Sequence, residues 1–234
     1  MRTFLRTSEF KMKLEPIINI PTGEVLAFEV LSRAKDVTLN NEIFFKFLTT
    51  DELLQLLQRQ MERFQKLNEQ DENYFSSMFV NVPIEFIYDE KIIYELYPFF
   101  HKFKINFEVE CNSGIFFRDR ILWERSSKLL SKGINVWLDD VSEDEFTSAE
   151  ELINNKVIYG VKLDKYSFWD SYENNANLYG IIGGIRDKMI VEGIETIDHL
   201  VYAKNQSVIF GQGYLCKQFN SCNGSHVVQC SDYA

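Results

Sequence analysis

The stretch INFEVECNSGIFFRDRILWERSSKLLSKGINVWLDD, residues 105–140, decides the fold. It opens on a short apolar run, Ile105–Val109, and closes on another, Asn135–Leu138. Between them, Arg120 to Lys132 carries Leu122, Trp123, Leu129 and Leu130 at helical spacing, and Gly133 stands where a left-handed cap ends such a helix. A short strand, a helix and a second short strand make a β/α unit, the building block of a parallel sheet.

The same alternation extends in both directions. Further apolar runs are Val25–Leu31, Met78–Val82, Val157–Leu163, Lys188–Val191 and Val208–Leu215. Thr49 and Glu52 form a capping-box pattern ahead of Leu53, Leu54, Leu57, Met61, Phe64 and Leu67, a helical apolar stripe that faces a core. One more strand, Lys11 to Ile20, precedes the alternation, and Thr22-Gly23-Glu24 reads as a hairpin turn. The first pair of strands is therefore antiparallel and the rest are parallel. The reading is an α/β barrel of one domain, residues 1–220, with a polar, loosely ordered tail over 221–234.

Composition narrows the function classes. The chain has 234 residues, 45% of them hydrophobic, which suffices for one sizeable core. Its 20 phenylalanines make that core aromatic. A net charge of −10 argues against a protein that tracks nucleic-acid phosphates. No segment has the roughly 20 apolar residues of a membrane span, and Met1 to Lys13 does not read as a signal peptide, so a cytoplasmic protein is expected. Cys111, Cys216, Cys222 and Cys230 form no C-x-x-C pair and read as reduced thiols. His101, His199 and His226 lack metal-ligand spacing and read as surface or structural residues.

Each apolar run carries a polar residue at or near its end: Glu29, Asn81, Glu108, Asp139 with Asp140, Lys162, Glu192 and Gln212. After the first gap they recur at roughly 20 to 30 residues, one strand–helix unit each, and a closed barrel gathers its strand C-termini at one mouth. A lone acid at a strand end is usually a solvated turn residue; the joint pattern is what carries the inference. Carboxylates brought together repel and raise one another's pKa values, a conflict that a divalent cation removes. An oxygen-only donor set suits Mg²⁺ or Mn²⁺ rather than zinc. Two such ions can clamp a phosphodiester, Lys162 adds a charge that orients water or stabilises a pentavalent phosphate, and Arg33 can meet a ligand phosphate.

The motifs Glu15-Pro16-Ile17-Ile18, Glu29-Val30-Leu31-Ser32-Arg33, Val80-Asn81-Val82, Phe107-Glu108-Val109, Leu138-Asp139-Asp140, Val161-Lys162-Leu163-Asp164, Val191-Glu192-Gly193-Ile194-Glu195-Thr196 and Gly211-Gln212-Gly213-Tyr214-Leu215 together resemble the EAL-domain family, over about Lys11 to Phe219. The resemblance implies a modified TIM-type (β/α)8 barrel with one antiparallel strand. It implies hydrolysis of cyclic di-GMP to linear pGpG with Mg²⁺ or Mn²⁺. It makes Glu29, Asn81, Glu108, Asp139 and Glu192 metal ligands, sets Asp140 beside a second ion, gives Lys162 the attacking water and Glu192 a second role as base. Gln212 then supports the site, and Arg33 and Glu15 face the ligand.

Three departures from that family's pattern qualify the activity. Glu15 stands where Gln is usual, and an ionised carboxylate donates no hydrogen bond. Cys111 replaces a loop-anchoring Glu. The loop after the tandem Asp reads Val141-Ser142-Glu143-Asp144-Glu145-Phe146-Thr147-Ser148, without its glycines and with three added acids. In the family this loop positions the Asp pair and contributes to dimer contacts, so a homodimer is among the implied partnerships. Two functions follow. The intact ring favours an active phosphodiesterase. The altered loop and the stand-alone form favour weak or lost catalysis and a regulator of motility or biofilm acting through protein binding, with the flagellar master transcription factor as the partner that related regulators take.

Overall fold

A computed structural model describes residues 10–34, 45, 48–70, 77–111, 113–178, 180 and 184–221. The expected tail beyond Ser221, with Cys222, His226 and Cys230, lies outside them. Eight strands close a barrel in sequence order: β1 (Phe10–Asn19), β2 (Val25–Ala34), β3 (Ser77–Asn81), β4 (Lys104–Glu110), β5 (Asn135–Val141), β6 (Gly160–Leu163), β7 (Met189–Val191) and β8 (Phe210–Gln212). β1 runs antiparallel to both neighbours, β2 and β8. All other neighbouring pairs are parallel. This is the α/β barrel with one antiparallel strand that the alternation and the Thr22-Gly23-Glu24 turn predict.

Among the described residues the helices are α1 (Thr50–Gln70), α2 (Glu85–Tyr88), α3 (Glu90–Leu96), α4 (Ser113–Arg118), α5 (Arg120–Ser131), α6 (Phe146–Asn154), α7 (Lys165–Glu173) and α8 (Ile197–Asn205). The capping box at α1 forms: Thr49 N–H donates to Glu52 Oε2 at 2.8 Å, and Glu52 N–H donates to Thr49 Oγ1 at 3.3 Å. Leu54, Leu57, Met61 and Phe64 of its stripe are buried against the barrel. Asp119 caps α5 by accepting from Ile121 and Leu122 N–H, and Gly133 at φ +84° ends it.

Two apolar runs are longer than their strands. In Val157–Leu163 only Gly160–Leu163 is extended, because Val157 N–H bonds back to Leu152 O and closes α6. In Val208–Leu215 only Phe210–Gln212 is a strand, because Val208 N–H bonds to Ala203 O and closes α8.

Side chains alternate across a strand, so residues two apart share a face. Inside the barrel, Ile17, Ala27, Phe79, Trp137 and Ile190 form a small apolar cluster distinct from the main core between strands and helices. Gly160 makes room for it, since a Cβ there would lie 2.6 Å from the Trp137 ring. Trp137 Nε1 and Asn135 Nδ2 both donate to Asn106 Oδ1, and Asn106 Nδ2 donates to Met78 O, so the buried Asn106 amide is satisfied. The layer reached by stepping two residues toward the mouth from Ala27, Phe79, Asn106, Trp137, Gly160, Ile190 and Phe210 is Glu29, Asn81, Glu108, Asp139, Lys162, Glu192 and Gln212. The interior plug thus forms the floor on which the polar ring stands.

Candidate active site

Lys162 is the centre of the ring. It is 1% exposed, and its Nζ lies 2.6 Å from Glu192 Oε1, 2.9 Å from Glu108 Oε1, 3.1 Å from Asp139 Oδ1 and 3.4 Å from Glu29 Oε2. Glu29 is held further by Asn81 Nδ2, which donates to Oε1 at 2.8 Å, and by Gln212 Nε2, which donates to Oε2 at 2.5 Å. Six strands, β2 to β7, and β8 therefore deliver one side chain each to a single cluster.

The electrostatics follow from burial. Glu108 is fully buried, and desolvation pushes its carboxyl well above the ordinary value; Lys162 opposes that, while Glu29 and Asp139 add to it. Asp139 is raised for the same reasons. Burial, with Asp139 and Glu29 adding and Lys162 opposing, brings Glu192 to about 7. Burial works against the Lys162 ammonium, but the four carboxylates outweigh it and hold its pKa well above the usual lysine value.

The buried ammonium of Lys162 relieves part of the carboxylate repulsion expected to call for a divalent cation. Among the described residues no three acids converge closely enough to hold one ion as arranged. The donor set still fits a hard divalent cation. Glu108 Oε2 and Gln212 Oε1 are buried without a hydrogen-bond partner, and Glu108 Oε1 and Asp139 Oδ1 approach Lys162 only as ion pairs, off hydrogen-bond direction. Unsatisfied carboxylate and amide oxygens of this kind are the ligands that Mg²⁺ and Mn²⁺ take.

Asp140 lies outside the cluster. It is exposed at φ +53° and absorbs a register shift where Leu138 pairs with Val161 and Val141 with Leu163. One extra residue on β5 makes a bulge there, and Asp tolerates the left-handed conformation better than most side chains. Cys111, at the end of β4, ties its N–H to Asp139 O at 2.9 Å. The loop that follows is ordered: Glu143–Glu145 form a 3-10 turn leading into α6, with Ser142 Oγ donating to Asp144 Oδ1 at 2.6 Å.

Glu15 faces Glu29 directly across the β1–β2 pair. The two carboxylates divide the available cations. Glu29 uses Lys162, whereas Glu15 pairs with Lys13 and, at 3.3 Å, with Lys217. Burial raises Glu15, but these two lysines together hold it below the ordinary value. Lys13 was legible, two residues before Glu15 on one strand face; Lys217 was not, because it reaches Glu15 from the 3-10 turn Leu215–Ser221. Arg33 is exposed on β2, on the face of Glu29 and opposite Lys11, and makes no contact with the ring among the described residues. His199 packs edge-on against Phe168 and Tyr172, a structural role. Cys216 is a buried free thiol, pushed up to about 12 by desolvation.

Residues 1–218 match the EAL domain family. The chain belongs to that family. As an EAL domain, it is similar to a structure of the EAL enzyme Bd1971 in a cAMP- and cyclic-di-GMP-bound form, at TM-score 0.68 and 18% identity, covering 89% of this chain and 61% of that one. It is similar to Klebsiella pneumoniae BlrP1 in a manganese/cyclic-di-GMP complex, at TM-score 0.70 and 16% identity, covering 92% and 57%. An EAL-domain protein from Listeria monocytogenes EGD-e matches at TM-score 0.63 and 21% identity, covering 88% and 86%. At these identities the likeness is one of fold, and the chain spans less than two thirds of the first two proteins. No functionally curated protein matches its sequence.

Proposed function

We propose that this EAL domain is a cyclic di-GMP signalling protein with weak or lost phosphodiesterase activity that regulates motility or biofilm by binding another protein in the cytoplasm, the flagellar master transcription factor being the candidate partner. The observation that carries the ligand class is the ring itself: four carboxylates, two amides and a buried lysine at one barrel mouth, in a chain of the EAL family. In this reading Glu29, Asn81, Glu108, Asp139 and Glu192 would hold Mg²⁺ or Mn²⁺, with Asp140 available to a second ion. The metal supplies Lewis-acid polarisation of a phosphoryl oxygen and a more acidic water. Lys162 is a fixed N–H donor toward the attacking water and the developing phosphate charge. Glu192, 2.6 Å from Lys162 Nζ and so beside the water that Lys162 would orient, takes its proton as base. Gln212 orients Glu29, and Arg33 and Glu15 meet the ligand.

Weak catalysis is supported by the segment after Asp140. Three acids there form a helical turn in place of a glycine loop, beside the position assigned to the second ion. Small misplacements at a reacting centre cost about 10²-fold in rate. The second reading, an active enzyme releasing linear pGpG, is favoured by the complete ring.

Purified protein incubated with Mn²⁺ and cyclic di-GMP separates the two, with product followed by chromatography and Glu29→Ala as the control. The proposal expects little or no pGpG and a stoichiometric complex in a pull-down with the transcription factor. Turnover that Glu29→Ala abolishes would establish the active enzyme instead.

A further inference from the structure

A second concavity lies away from the barrel mouth. On the outside of the barrel, α3, the turn Tyr97–Phe99 and α5 enclose a groove of about 510 Å³ that shares no residue with the ring. Ile87, Ile93 and Leu129 are buried at its floor. Tyr94 and Tyr97 line it while remaining 80% and 53% exposed. Its rim is basic: Lys91, Arg125, Lys128 and Lys132 against the single carboxylate of Glu90. Arg125 and Lys128 both spend their charge on Glu90, and Lys91 pairs with Glu95 at 3.6 Å. Lys132 makes no ion pair among the described residues.

That surplus of positive charge sits on a chain of net charge −10. A groove with an apolar floor, two solvent-facing tyrosines and a cationic rim has the composition of a binding core, where Tyr and Arg concentrate. The closed barrel offers no strand edge for β-augmentation, and the walls of the groove are helices whose backbone groups are already bonded. An incoming helix fits that surface; an added strand does not.

We propose that this groove docks an acidic amphipathic helix of a partner protein. Its apolar side chains would enter between Tyr94 and Tyr97 onto Leu129, and its carboxylates would meet Lys128 and Lys132. The inference rests on the protein-binding half of the proposed function and names the surface that serves it.

The test uses two labelled helical peptides with one shared apolar face, flanked by Glu in one and Lys in the other. Fluorescence anisotropy with the full chain is expected to show the Glu peptide binding roughly tenfold tighter or better, a difference that added salt shrinks. Tyr94→Ala weakens binding of both peptides, and the double variant Lys128→Glu/Lys132→Glu removes the preference, while thermal melts stay unchanged. Equal binding of the two peptides, no binding of either, or a preference that survives the double variant overturns the proposal. So does a dimer in sedimentation that Tyr94→Ala dissociates, which would make a second copy the occupant. Peptide selectivity without capture of the transcription factor fails the earlier reading alone; capture that the groove variants leave intact fails this one alone.

Discussion

Glu192 and Lys162 show what one buried cation among four acids does to stability. Glu192 titrates near 7 in the folded chain against an ordinary 4.5. A raised carboxyl means the folded state binds its proton more tightly than the unfolded state does. The associated stability is complete below 4.5 and is lost as pH rises through 7, a loss of about 3 kcal/mol for this single group. Glu108 and Asp139 shift in the same direction. Glu15 shifts the other way, and its window lies below 4.5, outside this range. Urea unfolding in EDTA should therefore show stability falling from pH 5 to pH 8, with a flatter profile for Glu192→Gln. Mn²⁺ should oppose the fall, because it binds the ionised carboxylates. An identical slope in the variant would remove Glu192 from the account. The sequence made the acids legible, since each ends an apolar run. It did not reveal that Lys162 is buried among them, because its 1% exposure depends on closure of the barrel around it.

At the scale of elements, β8 is fixed by its glycines. Gly213 has φ +158°, and a Cβ there would stand 2.4 Å from Ile194 O and 2.5 Å from Ile194 N. Ile194 in turn bonds both sides of this corner: its N–H donates to Gln212 O, and its carbonyl accepts from Leu215 N–H. Gly213→Ala must push these backbones apart, at a cost of roughly 1–3 kcal/mol as for other overpacked sites. The same displacement pulls Gln212 away from Glu29. Denaturant midpoints should fall, and binding of Mn²⁺ by calorimetry should weaken with them; a variant with wild-type values in both would show that the corner relaxes freely. The Gly-Gln-Gly pattern was visible in the sequence, but the Ile194 backbone that packs against Gly213 was not. Strand limits were less legible, as Val157 and Val208 show: an apolar run records burial, and burial continues from the strand into the residue that closes the preceding helix. The acidic loop shows the converse. Read as lost glycine freedom, it folds into a regular turn whose acids precede α6, where a helix N-terminus favours negative charge.

At the scale of the molecule, strand order was legible because each β/α unit repeats the same pattern, and β1 announced its reversal through the hairpin turn. The interior plug was not, since the fit of Trp137 over Gly160 depends on the register of two neighbouring strands, which the repeat of β/α units does not set. The whole chain also sets a field that no single residue reveals. A net charge of −10 repels an anionic ligand by about 2 kcal/mol per ligand charge at 20 Å in water before screening. Lys11, Lys13, Arg33 and Lys217 lie along β1, β2 and the turn after β8, and their pull is local. At low ionic strength the Debye length reaches roughly 30 Å, so the far field of the whole molecule governs the approach. Bound dications reduce this field without reversing it. Stopped-flow association of a fluorescent cyclic di-GMP analogue with Mn²⁺-loaded protein should therefore quicken as salt rises from low to physiological strength, the reverse of what a basic nucleotide-binding protein shows. A rate that falls with salt would mean that the local cations, not the net charge, steer the ligand to the mouth.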